Sequence, residues 1–188
     1  MTTTATQTNT PATLTTWSVD PAHSHVEFAI RHLMISTVKG RFGIVRGTVH
    51  SDDADPAKGS AEIEIDVDSI DTREAQRDAH LKSADFFEAE KYPTIVFRST
   101  RVTDVNGNRF TLIGDLTMHG VTRELALDVT SEGRAKDPWG GERAGFSATA
   151  KINRSDFGLT WNQALEAGGV VVGDAVKITL EIELVRAA

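Results

Sequence analysis

The sequence contains no cysteine, which excludes disulfide bonds, thiol nucleophiles and zinc sites built on thiolates. Any metal site would have to use the six histidines together with carboxylates. No apolar run approaches the length of about 20 residues that a membrane-spanning helix needs. Basic residues are outnumbered, since 20 Lys and Arg face 27 Asp and Glu for a net charge of −7. That balance argues against a nucleic-acid partner and disfavours an anionic membrane surface as a resting place.

The N-terminal segment, residues 1–15, lacks the basic start and the apolar centre of a secretory signal. It is rich in threonine, and its side chains bury too little apolar surface to offset the entropy that is lost on ordering. We therefore predict a disordered tail over residues 1–15 and one domain over residues 16–188. Without a signal, we expect a soluble cytoplasmic protein with no stable membrane insertion.

Most of the chain after residue 16 alternates between apolar and polar residues. In the segment around Phe28, for example, Val26, Phe28 and Ile30 alternate with polar or small neighbours. A period of two indicates β-strands with one apolar face. About eight such segments and little helix predict an antiparallel closed barrel or a sandwich.

Turn residues separate the predicted strands. Asn106-Gly107 predicts a tight hairpin turn, because both central positions of that turn need positive φ. His119-Gly120 divides two further apolar runs in the same way. Gly40, Gly43 and Gly47 would weaken a flat sheet, so we interpret them as bulges or sharp bends of a barrel.

One segment has a helical pattern. Asp71 followed by Glu74 resembles a capping box, and residues 73–83 lack β-branched residues and glycine. We predict a short helix there, leading into Phe86 and Phe87. Its apolar stripe is thin, which suits a lid over an opening better than a core element.

Several motifs, in order along the chain, resemble the YceI-like proteins. The resemblance covers about residues 17–186. Its motifs are Trp17-Ser18-Val19-Asp20-Pro21-Ala22-His23-Ser24, Asp68-Ser69-Ile70-Asp71-Thr72 followed by Arg77-Asp78-Ala79-His80-Leu81, Tyr92-Pro93-Thr94-Ile95-Val96-Phe97, and Asn153-Arg154-Ser155-Asp156-Phe157-Gly158.

The resemblance implies an all-β fold, an eight-stranded antiparallel lipocalin-like barrel with a short helix. It also implies a long hydrophobic cavity that binds a polyisoprenoid, a quinone-like lipid or another long-chain amphiphile, without a cofactor and without catalysis. A homodimer is compatible with it.

The predicted ligand-binding residues share the apolar phase of the strands or flank the expected opening. The pattern alone supports two interpretations equally, a filled core or the wall of a cavity, and the resemblance favours the cavity wall. We expect His32, Arg77 or Trp161 to hold the polar head of the ligand. The full set is Phe28, Ile30, His32, Phe42, Ile63, Ile65, Arg77, Phe86, Ile95, Phe97, Leu112, Leu116, Phe146 and Trp161.

Two rival hypotheses stand beside lipid binding. The first is a metal-dependent enzyme on the same barrel, in which His23 and His25 are joined by His32 and His80. The second is a filled barrel with a structural or stress role. The polar residues of the helix could also suggest acid–base catalysis. A simpler explanation is an ion pair on the helix surface between Asp78 and Lys82.

Overall fold

The computed structural model describes residues 14–52, 55–166 and 168–187. The predicted tail therefore lies almost entirely outside the described residues, although its last residue, Thr15, already belongs to the first strand. The strands are β1 (Thr15–Val19), β2 (His25–His32), β3 (Ser36–Phe42), β4 (Val45–Ser51), β5 (Ser60–Asp66), β6 (Ile70–Asp71), β7 (Thr94–Asn106), β8 (Arg109–Met118), β9 (Val121–Lys136), β10 (Glu142–Asn153) and β11 (Val172–Arg186), and the helix is α1 (Ala75–Lys82).

Eight of the strands form a closed antiparallel ring. The order around it is β1, β4, β5, β7, β8, β9, β10 and β11, and β11 then pairs with β1. The prediction of an eight-stranded antiparallel barrel with a short helix is confirmed. Because closure removes free edges, every strand of the ring has a partner on both sides.

The last strand, β11, has three partners. Its C-terminal part pairs with β1 through Leu184 opposite Val19, and its remaining length pairs with β2 as far as Val172 opposite His32. β1 and β2 thus act as one interrupted strand along the same edge of β11. β3 and β6 continue the wall beyond β2, which is why the structure has more strands than the sequence pattern predicts.

Glycines at two predicted bulges have a different role. The pairing of β2 with β3 and of β4 with β5 runs through Gly40 and Gly47 without a register shift, so the bulge interpretation is wrong there. A Cβ on Gly40 would lie 2.4 Å from the ring of Phe28, and one on Gly47 would lie 2.9 Å from the side chain of Ile63. These glycines are needed for close packing across the strands.

The two predicted hairpin turns are present, one of them displaced. His119 and Gly120 connect β8 to β9, with φ of 52° and 74°. The turn between β7 and β8 is formed by Gly107 and Asn108, one residue later than predicted, and Asn106 is still paired with Arg109. The prediction there was wrong by one residue because the strand pairing extends to Asn106.

Replacing Gly120 with alanine tests the second turn. The substitution should lower the free energy of unfolding by about 1–3 kcal/mol, because it places a side chain at positive φ. The new Cβ would also lie 2.7 Å from the ring of Tyr92. Urea denaturation of this variant and of Gly107→Ala, whose Cβ would meet open space at a φ of 62°, separates the clash from the backbone effect.

The helix begins later than the capping-box interpretation predicts. Asp71 accepts a hydrogen bond from the backbone N–H of Arg73, and Arg73 has a φ of 61°, so the chain is not helical there. Glu74 is the N-cap instead, and its carboxylate accepts from the N–H groups of Gln76 and Arg77. Within the described residues, no helix is long and apolar enough to cross a membrane.

Candidate ligand-binding cavity

The interior of the ring holds a cavity of about 940 Å³. Volumes of 300–1,000 Å³ are usual for pockets that bury a small-molecule ligand. The cavity runs lengthwise through the barrel, since its wall includes Met118 and Phe110, at opposite ends of the same strand. A barrel filled by its own side chains, the structural rival, would not leave this volume.

All fourteen predicted ligand-binding residues line this one cavity. For the eleven that lie on strands the register explains this, since Phe97 lies opposite Leu116 and Phe28 lies opposite Ile178, so the apolar phase of each strand faces inward. The other three, Arg77, Phe86 and Trp161, lie on α1 and in loops. That they contact a ligand remains a prediction. The residues are Phe28, Ile30, His32, Phe42, Ile63, Ile65, Arg77, Phe86, Ile95, Phe97, Leu112, Leu116, Phe146 and Trp161.

Many inward apolar side chains are only half-buried. Leu112, Ile178 and Leu180 belong to this group, although they lie on the core face of their strands. A side chain that faces empty space keeps part of its surface accessible, so the partial exposure of these side chains is a consequence of the cavity. Trp17 and Leu184, by contrast, are each 1% exposed.

One end of the cavity, here called the lid end, is bounded by the β2–β3 hairpin, by α1 and by Leu159, Trp161 and Val171. Its wall is aromatic: the ring of His80 lies 5.0 Å from Phe86 and 4.9 Å from Trp161, both edge-on. Phe87 meets Phe42 at 5.8 Å. No residue of α1 is buried, which agrees with a lid.

Arg77 fastens the lid to the barrel. Its Nε donates to the hydroxyl of Thr72 at 2.7 Å and its Nη2 to the carbonyl of Thr72 at 2.8 Å. Asp78 accepts from the backbone N–H of Thr72 at 2.9 Å, whereas Lys82 donates to the carbonyl of Asp68. The predicted pairing of Asp78 with Lys82 on the helix surface is therefore wrong, because both side chains bond to the segment before the helix.

Arg154 is a buried cation in the cavity wall, with 6% of its surface exposed. Its guanidinium donates to the backbone carbonyls of Gly173, Leu159 and Val172. Desolvation by burial lowers its pKa below the usual arginine value, and the charge of Asp174 acts in the opposite sense. Arginine nevertheless stays protonated, so the lid end carries a positive charge with little hydration.

The opposite end, here called the far end, is also polar. Its wall includes Ser60, Asn108, Ser131 and Arg134. The guanidinium of Arg134 lies 5.0 Å from the ring centre of Trp17. The cavity is thus an apolar channel with polar groups at both ends.

Sequence reasoning missed several of the wall residues. The apolar phase of β11 contributes Ile178, Leu180 and Ile182, which are absent from the predicted set of ligand-binding residues. Arg154 belongs to a motif of the resemblance but was not predicted as a site residue, although it continues the inward phase of β10, two residues after Ile152. A charged residue on an apolar phase is the pattern that marks it.

The four histidines of the metal-enzyme hypothesis do not come together in one group. His32 and His80 line the cavity, whereas His23 is bonded to Asp20 and His25 lies beside Glu27. Within the described ranges, the grouping with ligand atoms inside 4.8 Å of one another is Asp20, His23 and Glu183.

A guanidinium already occupies that grouping. Arg143 donates to Asp20 at 2.7 Å and also to Glu183, and its Nε bonds Asp137 at 3.1 Å. It neutralises the carboxylates that a cation would need. The arrangement is an ion-pair network that joins the bend after β1 to β10 and β11.

The network predicts a pH-dependent contribution to stability. Hydrogen bonds from Arg143 and then from His23 lower the pKa of Asp20 from 3.8 to about 2. A lowered pKa in the folded state means that the contribution is present above about pH 4 and is lost as the pH falls toward 2. We expect Asp20→Asn to reduce the free energy of unfolding by about 1 kcal/mol at pH 7, a value discounted for screening by solvent, and by almost nothing at pH 2.

Urea denaturation at pH 7, 4 and 2 measures this difference. Asp115→Asn is the matched control, because it removes the same charge from the outer face of β8 and should leave stability nearly unchanged at every pH. An equal loss at pH 7 and at pH 2 would mean that Asp20 acts through packing and not through its charge.

The sequence is similar to a known protein family and to proteins of bacteria. A family model described as the YceI-like domain matches residues 17–184. A UPF0312 protein of Vibrio cholerae is 41% identical over 138 residues, which is 73% of each chain.

Two solved structures share the fold. The crystal structure of BcnA from Burkholderia cenocepacia has a TM-score of 0.77 at 26% identity, and it covers 88% of this chain and 98% of that one. A polyisoprenoid binding domain from Saccharophagus degradans has a TM-score of 0.67 at 17% identity, with 91% and 98% coverage. With the family match spanning nearly the whole barrel, the chain belongs to the YceI-like family.

Proposed function

We propose that this protein binds one long-chain amphiphile inside the barrel, of the polyisoprenoid, quinone-like or fatty-acid-derived class, and carries or sequesters it. The cavity of about 940 Å³ is the observation that carries the proposal. A solved relative in fold is named a polyisoprenoid binding domain, which supports the ligand class. That relationship is one of fold, so the proposal depends on the geometry of this chain.

The cavity has the shape for a chain molecule. Inward residues of β8 run from Phe110 to Met118, about 27 Å along the strand at 3.4 Å per residue. With a strand tilt of about 40°, the channel is on the order of 20 Å long. Transfer of each methylene from water stabilises the complex by about 0.8 kcal/mol before binding costs. A chain of about 15 carbons therefore supports micromolar binding or better.

We place the polar head of the ligand at the lid end. Arg154 is buried there and faces the cavity, and His32, Arg77 and Trp161 line the same region. A poorly hydrated guanidinium attracts carboxylate or phosphate oxygens more strongly than a hydrated one. We therefore expect a preference for an acidic head over a neutral head on the same chain.

Native mass spectrometry of gently purified protein tests the proposal. We expect one equivalent of a co-purified amphiphile, and we expect delipidated protein to bind a C16 fatty acid at least tenfold more tightly than the C16 alcohol. Protein that arrives empty and takes up neither compound would refute the lipid-binding function. Equal binding of the two compounds would refute only the position of the head.

Three further expectations stay predictions. The absence of catalysis and a cytoplasmic location rest on the sequence pattern or the resemblance alone, and a homodimer is compatible with both. The same mass spectrum reports the mass of any dimer.

A further inference from the structure

Charge is distributed unevenly along the chain. Residues 28–51 contain no Asp or Glu, but they contain Arg31, Lys39, Arg41 and Arg46, within a protein of net charge −7. This segment forms the end of β2 and all of β3 and β4. The net charge argues against an anionic surface only as an average, and it says nothing about one face of the barrel.

A row of lysines crosses the outer wall beside this segment. Lys39 lies opposite Ala29, Ala29 lies opposite Lys177, and Lys177 lies opposite Lys151. We call Lys39, Lys177 and Lys151 the lysine row. All three are exposed, on the face of the sheet that points away from the cavity. Across the part of the chain that the structure describes, none of them forms an ion pair.

Two members of the row, Lys151 and Lys177, lie directly opposite each other on neighbouring strands. Like charges directly opposite each other on antiparallel strands destabilise a sheet, and Lys151 faces Lys177 in this way. Glu27 and Glu181 lie further along their strands toward the far end, and Asp174 is bonded to Ser155. Glu124 and Asp156 line one surface pocket with Lys151, so Lys39 and Lys177 are the members of the row that an anionic partner would neutralise.

Exposed apolar side chains lie at the tip of the β2–β3 hairpin, which also carries Lys39. Met34 is 52% exposed, Ile35 is 80% exposed and Val170, on the neighbouring loop, is 36% exposed. We call these three the apolar rim. The β2–β3 turn is attached to the loop by a hydrogen bond from the N–H of Leu33 to the carbonyl of Val171, and Arg31 donates to the carbonyl of Met34 at 2.7 Å. The rim therefore adjoins the lid end of the cavity.

We propose that the lysine row and the apolar rim together dock the protein on a bilayer that contains anionic lipids, with the lid end turned toward the membrane. Lysines above the headgroups and apolar side chains at the acyl boundary are the two contributions that hold a peripheral protein at a membrane. A nucleic acid would use the lysines but would gain nothing from Ile35. The docking does not require that the cavity hold any ligand.

Cosedimentation of the full chain with vesicles tests the proposal. We expect binding to vesicles of 70% phosphatidylcholine and 30% phosphatidylglycerol, weakening with salt, and much weaker binding to pure phosphatidylcholine. Removing two lysines as Lys39→Gln with Lys177→Gln should weaken the partition coefficient roughly 25-fold, at about fivefold per lysine. Ile35→Ser should weaken it severalfold. The Lys177→Gln change alone should raise the melting temperature slightly, because it relieves the repulsion with Lys151.

Matched controls keep the result specific to this face. Lys58→Gln with Lys136→Gln makes the same change in net charge elsewhere, and Trp139→Ser removes an 86% exposed aromatic side chain at the opposite end of the barrel. Both should bind vesicles as the parent does. The proposal is overturned if anionic vesicles do not bind, if the control pair loses as much binding as the lysine-row pair, or if duplex DNA binds as tightly as the vesicles. The assay measures attachment of the protein to the vesicle surface and not occupancy of the cavity, so its failure would leave the proposed lipid binding intact.

Discussion

Replacing Leu112 with arginine is expected to abolish uptake of the amphiphile while the barrel remains folded. Leu112 lines the middle of the channel and is only half-buried, so the longer side chain has space. An arginine there stays charged and holds water in the channel, because an unpaired buried charge is strongly disfavoured. We expect at least a tenfold loss of affinity for a C16 fatty acid, measured by fluorescence displacement, with the melting temperature recorded alongside.

Thr111→Arg is the control for this variant. Thr111 is the neighbouring residue on the same strand and points to the other face, where it lies opposite Asp128. It adds the same charge outside the channel, so affinity should be unchanged. A Leu112→Arg protein that folds and still binds with the parent's affinity would show that the assignment of the channel is wrong.

Replacing Arg154 with methionine is expected to lower the free energy of unfolding by about 2–4 kcal/mol. The change leaves the carbonyls of Leu159, Val172 and Gly173 without their charged donor, in a region where the side chain is 6% exposed. The loop between β10 and β11 should exchange its amide hydrogens faster, since Arg154 joins its two ends. Hydrogen exchange followed by mass spectrometry locates the effect.

Two further variants show whether the loss of stability comes from the buried hydrogen bonds of Arg154. Arg154→Lys keeps the charge but not the planar fork, so its stability should lie between those of the parent and the methionine variant. Arg101→Met removes an exposed arginine that pairs with Glu124 and should have a much smaller effect. Equal stability of Arg154→Met and the parent would contradict the anchoring role.

Most of the barrel wall was predictable from the sequence because its signal is local. Residues two apart on a strand share a face. The common face of Phe28 and Ile30, or of Ile63 and Ile65, can therefore be predicted without knowledge of the strand pairing. Closure into a ring gathers those faces around one axis. That is why every predicted wall residue on a strand lies on one cavity.

What could not be predicted depends on contacts between distant residues. The need for Gly40 arises from the ring of Phe28 on the next strand, and the role of Arg154 arises from carbonyls that follow it by up to 19 residues. The shifted helix start follows from the positive φ of Arg73, which a capping pattern does not reveal. Whether the barrel was hollow depended on the sum of all inward side chains.

The three partners of β11 have a consequence for biosynthesis. β11 follows the other ten strands along the chain, yet it joins β10, β1 and β2, so the ring cannot close until β11 has left the ribosome. Pairing of residues such as Trp17 with Arg186 spans almost the whole chain, and contacts of such high sequence separation make folding slow, in milliseconds to seconds. Until then the future cavity is an open apolar sheet, prone to aggregation or capture by chaperones. A barrel of this topology therefore has no enclosed cavity until β11 is in place, and removal of β11 would leave the inward faces of the other strands open.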